Sequence, residues 1–339
     1  MNRIIFKRLA IVSVFLAFVV VILGAYTRLG DAGLGCPDWP GCYGHLNVPE
    51  EHHEITRANQ TYPDRPVEPA KAWKEMTHRY FAGSLGLLVF ALAIMALRNR
   101  HDPHQQVVVP VFLVFWIVFQ AMLGMWTVTI KLNPTIVMAH LMGGLTCLSL
   151  LWWISLRHTH VLTEKHLDRT RLNRLHLWAF VALIVVVAQI MLGGWTSANY
   201  AALACRDDFP LCQGSWWPAM DFSEGFVMWR GTEMNFEFGV LKNDARIAIQ
   251  MMHRMGALIT TLLLVFLAFK LIGFRGSKFL AKLGFALLFV LAVQVMLGIA
   301  NILLSLPLAI AVAHNAVGAL LLLVVVAVNH AIRPKAEVL

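Results

Sequence analysis

The chain has 339 residues, of which 58% are hydrophobic and 14% are charged. This composition excludes an ordinary soluble domain and predicts a polytopic membrane protein. The formal net charge of +9 is explained by basic connections on one side of a membrane, so we expect no nucleic-acid partner.

Apolar runs of about 20 residues, the length that crosses a bilayer as a helix, occur eight times. They cover residues 9–27, 78–97, 107–129, 135–156, 175–196, 247–272, 279–303 and 306–330. The first run follows basic residues, as in a signal peptide. It is long, however, and no clean small-residue cleavage site ends it, so we expect it to be retained. The sequence predicts an all-α integral membrane protein with eight transmembrane helices.

Lysine and arginine residues are distributed unevenly among the connections. The short connections that would share a side with the N-terminus are strongly basic, whereas 131–134 contains only Lys131 and 304–306 contains no basic residue. This asymmetry predicts that both termini lie in the cytoplasm, at a bacterial inner membrane. The long connections 28–74 and 197–246 are then expected outside.

Four of the five cysteines lie in the two long connections, as Cys36 with Cys42 and Cys205 with Cys212. Disulfides persist outside a bacterial inner membrane, so each pair is interpreted as a disulfide that closes a short loop. The alternative is a metal site, but neither pair has the spacing or the partner histidines of a zinc knuckle. Cys147, within the fourth run, is interpreted as a small core residue.

The second half of the chain repeats the first. GAYT before Cys36 is echoed by GGWT before Cys205, THRYFAGSLGLL by MHRMGALITTLL, and FQAMLG by VQVMLG. Because each half has four spans, both halves insert with the same orientation, which predicts a parallel repeat about an axis along the membrane normal. We expect two pseudo-symmetric four-helix bundles, residues 1–157 and 175–339, joined by a basic cytoplasmic linker at 158–174.

Equivalent histidines begin the even-numbered spans: His78, His140, His253 and His314. An ionisable residue in an apolar span is expensive and is therefore a candidate for function. Two imidazoles that face each other across a bundle, without a carboxylate cluster or a thiolate, suit the axial positions of a haem iron. The alternatives are a hydrogen-bonded core histidine, which does not explain four at equal depth, and zinc, for which these spans offer no further ligands.

Neighbours of the histidines favour haem as well. Arg79 and Arg254 each follow a candidate ligand, and a guanidinium is suited to pair with the propionates of a haem. A flat macrocycle also needs helix surfaces without bulky side chains. Small residues accompany the histidines: Ala82, Gly83, Gly86, Gly143, Gly144, Gly256, Ala257 and Gly318.

The halves differ three residues before their first histidine, where the first half has Glu75 and the second has Gln250. Glu75 shares a helix face with His78. A carboxyl group exchanges a proton and an amide does not, so Glu75 is a candidate for proton transfer during substrate oxidation. The alternative is a carboxylate that only caps the first helical turn. The difference predicts one site kept for chemistry and one for a resident cofactor.

Together, the eight spans, the ExxHR motif (Glu75, His78, Arg79), the histidine on each even span and the paired cysteines resemble the haem A synthase family. The resemblance covers essentially the whole chain. It implies an oxidoreductase that converts the C8 methyl group of haem O to a formyl group in two successive oxidations, through a geminal diol that loses water. The product, haem A, would serve terminal oxidases.

By the same resemblance, His78 and His140 flank the substrate haem, while His253 and His314 hold a haem b with its iron. Glu75 is then the catalytic carboxylate. The implied partners are haem O itself, a haem O synthase, membrane lipid and an electron-transfer partner that the sequence does not identify. The isoprenoid tail of haem O suits entry from the lipid.

The resemblance also assigns roles to the cysteines. Cys36–Cys42 is implied to be the disulfide linked to activity, and Cys205–Cys212 its structural counterpart. The second pair has one residue more between its cysteines, so the repeat is imperfect there.

The residues alone do not distinguish haem as a substrate from haem as an electron carrier. The alternative function is a di-haem b membrane cytochrome that passes electrons between quinol and a partner, with Glu75 handling the quinol protons. A transporter is disfavoured because neither half shows a pair of broken helices at the midplane.

Overall fold

The computed structural model describes residues 3–157, 169–205 and 209–333. Within them, eight helices are long and apolar enough to cross a membrane, so the predicted number is confirmed and the chain is a multi-pass membrane protein. These helices are α1 Arg3–Leu29, α3 Pro69–Arg98, α4 Val108–Thr129, α5 Pro134–Arg157, α6 Arg169–Ala198, α8 Asn243–Ile272, α9 Lys278–Leu303 and α10 Leu308–Ile332. Two shorter helices, α2 His52–Thr61 and α7 Phe222–Gly225, lie in the cysteine-containing connections.

Several helices differ in extent from the sequence prediction. Helix α3 begins at Pro69, before its apolar run, because proline is preorganised for the first turn of a helix. Helix α2 forms within the connection 28–74, where no helix was predicted, and a capping box between Glu51 and Glu54 stabilises its start. Helix α6 already includes residues 169–174 of the predicted linker, whereas residues 158–168 lie outside the described part of the chain.

The transmembrane helices form two rings of four. In the first half α1 packs on α3, α3 on α4, α4 on α5, and α5 on α1. In the second half α6, α8, α9 and α10 contact one another in the same cyclic order. The rings meet through α1, α5, α6 and α10. Each half is therefore a four-helix bundle, as predicted.

Tight connections have the same backbone conformation in the two halves. Lys131 and Leu132, between α4 and α5, have φ of 46° and 61°, and Ser305 and Leu306, between α9 and α10, have 58° and 61°. Non-glycine residues adopt this left-handed region uncommonly, so its recurrence at equivalent turns agrees with the repeat seen in the sequence. The pseudo-symmetry axis along the membrane normal stays a prediction.

The rings are joined by polar as well as apolar contacts. Burial of apolar surface drives helix association weakly in lipid, so close packing and interhelical hydrogen bonds matter more. The Trp152 indole donates to the carbonyl of Leu323 at 3.0 Å. Arg28, at the end of α1, donates to the hydroxyl of Tyr200 at 2.8 Å and to the carbonyl of Ser197 at 2.9 Å. These bonds fix the two bundles against each other at both ends.

Candidate functional site

The structure brings His78 of α3 and His140 of α5 together inside the first bundle. Their ring centroids are 6.4 Å apart, and their ring planes are nearly perpendicular at 88°. Two imidazoles that bind one iron from opposite faces, by bonds of about 2 Å each, have centroids about 6 Å apart. The spacing of this pair therefore fits the two axial ligands of a haem.

In the second bundle, His253 of α8 and His314 of α10 are close enough to interact electrostatically. Among the described residues, no group of three or more histidine, cysteine or acidic side chains is arranged to hold a metal ion. A site that takes only two protein ligands, as haem does, agrees with that finding. Haem ligation by the two histidine pairs stays a prediction.

Each histidine ring packs its Cε1 atom against a glycine of an adjacent helix. A Cβ atom built on Gly24 or Gly193 would lie 3.1 Å from the Cε1 atom of His78 or His253, respectively. Gly124 and Gly298 stand in the same relation to His140 and His314, at 3.2 and 3.1 Å. Larger side chains at these positions would displace the rings. The GAYT, GGWT and MLG repeats contain these glycines, but the sequence alone did not indicate that they pack against the histidines.

The small residues beside the histidines divide into two groups. A Cβ atom added at Gly83, Gly86 or Gly144 would meet nothing within 4 Å, so these positions leave open space as a macrocycle requires. Gly143 and Gly256, in contrast, leave room for the glutamine side chains Gln120 and Gln189.

Glu75 lies buried beneath the first cysteine loop, residues 36–42, with an exposed fraction of 5%. One carboxylate oxygen accepts a hydrogen bond from the backbone N–H of Cys36 at 3.0 Å, and the other pairs with the guanidinium of Arg79. A buried carboxylate needs such partners because desolvation of an unpaired charge is expensive. The predicted acid is therefore held against the disulfide loop, three residues before His78 on the same helix.

Arg79 also binds the first cysteine loop. Its Nη1 group donates to the carbonyls of Asp38 at 3.0 Å, Pro40 at 3.2 Å, and Gly41. The guanidinium thus connects the loop to Glu75. Pairing of Arg79 with a haem propionate stays a prediction, and these contacts already occupy much of its donor capacity.

Arg254 binds the second cysteine loop, residues 205–212, in the same way. It donates to the carbonyls of Leu211 and Cys205, both at 3.0 Å, and to Pro210 at 3.4 Å. The residue below it is the buried amide of Gln250, so this half has no carboxylate at the corresponding point. The propionate role of Arg254 likewise stays a prediction.

Both predicted disulfides are present. Cys36 is bonded to Cys42 and Cys205 to Cys212, whereas Cys147 is free and buried, as predicted. Next to the first disulfide, the Tyr43 hydroxyl donates to the carbonyl of Pro66 at 3.1 Å. Burial raises the pKa of Tyr43 to about 12, although the nearby charge of Arg65 opposes the shift.

The second cysteine connection also contacts the first half. The N–H group of Phe236 donates to the carbonyl of Lys131 at 3.0 Å, and its side chain, 1% exposed, packs against Leu34, Val128 and Leu132. Glu237 forms an ion pair of 2.8 Å with Arg65 of the first cysteine connection. Sequence analysis missed these contacts because no local pattern relates residue 236 to residue 131.

Comparison with known proteins extends these observations. Residues 7–326 match the family described as cytochrome oxidase assembly protein. The chain is 47% identical over 319 residues to Heme A synthase of Shewanella oneidensis, with 94% of each chain covered. It is 28% identical over 282 residues to Heme A synthase of Shouchella clausii, covering 81% of this chain and 79% of the relative.

A more distant relative preserves nearly the same extent. Heme A synthase of Caulobacter vibrioides is 26% identical over 343 residues, covering 94% of this chain and 93% of the relative. The similarity thus includes both four-helix bundles and both cysteine-containing connections. With a match that runs almost from end to end, the chain belongs to the cytochrome oxidase assembly protein family.

Proposed function

We propose that this chain is a membrane oxidoreductase that converts the C8 methyl group of haem O to a formyl group and so produces haem A. The observation that carries the proposal is the 47% identity, over 94% of both chains, to a protein named Heme A synthase. An enzyme that makes haem A must bind a haem substrate, and the family description links it to cytochrome oxidase assembly.

The first bundle, within residues 1–157, holds the substrate haem. His78 and His140 are its ligands, and their centroid separation of 6.4 Å supports this assignment. Glu75 lies about one helical turn from His78 on the same face and serves in proton transfer as the methyl group loses hydrogen. Arg79 and the Cys36 amide orient its carboxylate.

The second bundle, within residues 175–339, holds a resident haem b. His253 and His314 are its ligands, and Gln250 replaces the acid of the first bundle, so this half lacks a proton-transfer group at that point. The bound haems supply the iron redox chemistry of the reaction. The residues of the chain hold and orient them.

The enzyme lies in the bacterial inner membrane, with both termini and the basic 158–174 linker in the cytoplasm and the cysteine loops outside. The Cys36–Cys42 disulfide is linked to activity, and Cys205–Cys212 has a structural role. Haem O reaches the first bundle from the lipid after release by a haem O synthase. An electron-transfer partner completes the reaction.

Pigment analysis of the purified protein tests the proposal. The protein is expressed with and without a haem O synthase, and its extracted haems are separated by chromatography. Without the synthase we expect haem B alone, and with the synthase we expect haem O and haem A to appear as well. Haem B in both bundles under both conditions would contradict the proposal and favour the di-haem cytochrome.

Glu75→Gln tests the proposed acid. This variant makes the first site resemble the second, so we expect it to retain haem O and to form no haem A. Glu68→Gln, which alters an exposed carboxylate at the start of α3, is the control and should retain activity. Wild-type haem A content in Glu75→Gln would remove Glu75 from the chemistry.

A further inference from the structure

The two halves carry different residues at one position next to the histidines, and the proposed function does not account for this difference. Gly24 of α1 and Gly193 of α6 contact His78 and His253 equivalently. Four residues before these glycines, α1 has Val20 and α6 has Gln189. The two side chains therefore stand at the same register position beside the first histidine of their bundle.

Gln189 contacts His253 directly. Its side-chain amide nitrogen lies 3.0 Å from Nδ1 of the imidazole and 3.0 Å from the backbone carbonyl oxygen of His253. Its Oε1 atom is buried and has no hydrogen-bond partner among the described residues. A Cβ atom at Gly256 would collide with this amide, so the absent side chain at position 256 makes room for it.

The first bundle lacks this arrangement. Nδ1 of His78 is buried beside the backbone carbonyl of Val20, but within the described part of the chain it makes no hydrogen bond of normal geometry. The register position of Gly256 is occupied there by Phe81. The first half therefore has Val20 with Phe81 where the second has Gln189 with Gly256.

Hydrogen bonding to a ligand histidine determines how firmly it is held. An imidazole that binds iron through Nε2 carries its proton on Nδ1, and an acceptor for that proton fixes the tautomer and the ring orientation. The oxygen and nitrogen of an amide are interchangeable in shape. Rotation of the Gln189 amide places Oε1 against the Nδ1–H group, and the amide then exchanges its 3.0 Å bond to the carbonyl of His253 for a bond from the ligand ring.

We propose that Gln189 is a positioning residue that holds His253 as a haem ligand and makes the second bundle retain its haem. This inference rests on the proposed function, in which the second bundle keeps a resident haem b. The first bundle must release its product after each turnover. In the part of the chain that the structure describes, His78 has only the backbone carbonyl of Val20 beside Nδ1, without a hydrogen bond of normal geometry and without a side-chain amide, so it is suited to exchange. Val20 and Gln189 thus distinguish an exchanging site from a retaining one.

The test measures haem retention and reduction potential in the full-length protein. Gln189→Met removes the hydrogen bond at nearly constant volume, and Gln189→Glu keeps an acceptor. Haem transfer from the purified protein to an excess of apomyoglobin gives the dissociation rate. Loss of an outer hydrogen bond to a ligand histidine weakens metal affinity by about 10- to 100-fold, so Gln189→Met should release haem b faster by a comparable factor.

The reduction potential of the haem is the second readout. If Gln189 had only a structural role, the two variants would not shift this potential in opposite directions. An acceptor at Nδ1–H makes the ligand more basic and favours ferric iron. Gln189→Met should therefore raise the potential of the b-type haem, and Gln189→Glu should lower it while dissociation stays slow. Unchanged dissociation and potential in Gln189→Met would overturn the inference.

If Gln189→Met does not fold, the inference is tested by introducing the corresponding residues of the second bundle into the first. Val20→Gln combined with Phe81→Gly should slow the release of haem from the first bundle, and unchanged release would count against the inference. Absence of a retained haem b from wild-type protein would instead contradict the proposed function. The two failures are therefore distinguishable.

Discussion

Removal of Arg79 should destabilise the protein far more than removal of its counterpart Arg254. Arg79→Met deletes the bonds to the carbonyls of Asp38, Pro40 and Gly41 and also leaves the buried carboxylate of Glu75 without its cation. Breaking a buried ion pair by removing one partner costs about 3–5 kcal/mol. The Cys36 amide still donates to Glu75, so we expect the lower end of that range.

The second half supplies the matched control. Arg254→Met also deletes bonds to three loop carbonyls, those of Cys205, Pro210 and Leu211, but it leaves only the neutral Gln250 beneath. The carbonyl contribution therefore cancels in the comparison. Arg79→Met should lower the free energy of unfolding by about 3 kcal/mol more than Arg254→Met.

Unfolding of the purified protein in mixed micelles, titrated with sodium dodecyl sulfate, measures both values. In the double variant Glu75→Gln with Arg79→Met, the excess should fall below about 1 kcal/mol, because no buried carboxylate is left unpaired. Equal destabilisation by Arg79→Met and Arg254→Met, with no relief from Glu75→Gln, would refute the assigned ion pair.

Two further predictions concern the glycine contacts and the contact between the halves. Gly24→Val adds methyl groups beyond a Cβ that already lies 3.1 Å from the His78 ring. It should therefore abolish haem binding in the first bundle only, while Gly193→Val does so in the second; quantitative haem extraction checks this. Phe236→Ala should cost about 3–5 kcal/mol of unfolding free energy because its side chain is fully buried. Phe238→Ala, at an exposed position, should change stability by less than about 0.5 kcal/mol.

The sequence predicted the features that depend on composition, periodicity and local spacing. Eight apolar runs gave eight helices, and two close cysteine pairs gave two disulfides. Helix α3 extended beyond its prediction because proline and capping chemistry, rather than hydrophobicity, determine where a helix starts. A hydropathy window cannot detect that extension, although Pro69 was the available signal.

The contacts of the candidate site were less predictable. The ExxHR spacing indicated that Glu75 and His78 share a helix face, but it did not reveal that Arg79 binds the carbonyls of a loop about forty residues earlier. Gln189 was overlooked because one polar residue in an apolar run has no partner in the linear pattern. Gln189 lies four residues before Gly193, and Val20 lies four residues before Gly24. A comparison of these two equivalent positions could have identified Gln189.

The two halves act as controls for each other within one chain. Contacts that support any haem-sized site recur in both, including the glycine against each histidine and the arginine beneath each cysteine loop. Among the many differences, two lie next to the histidines: Glu75 and Val20 in the first half correspond to Gln250 and Gln189 in the second. A reacting haem requires a group that exchanges protons, whereas a resident haem requires a firmly held ligand. A carboxyl group beside the first histidine pair and an amide beside the second meet these two requirements, so this asymmetry supports the proposed division of labour between the bundles.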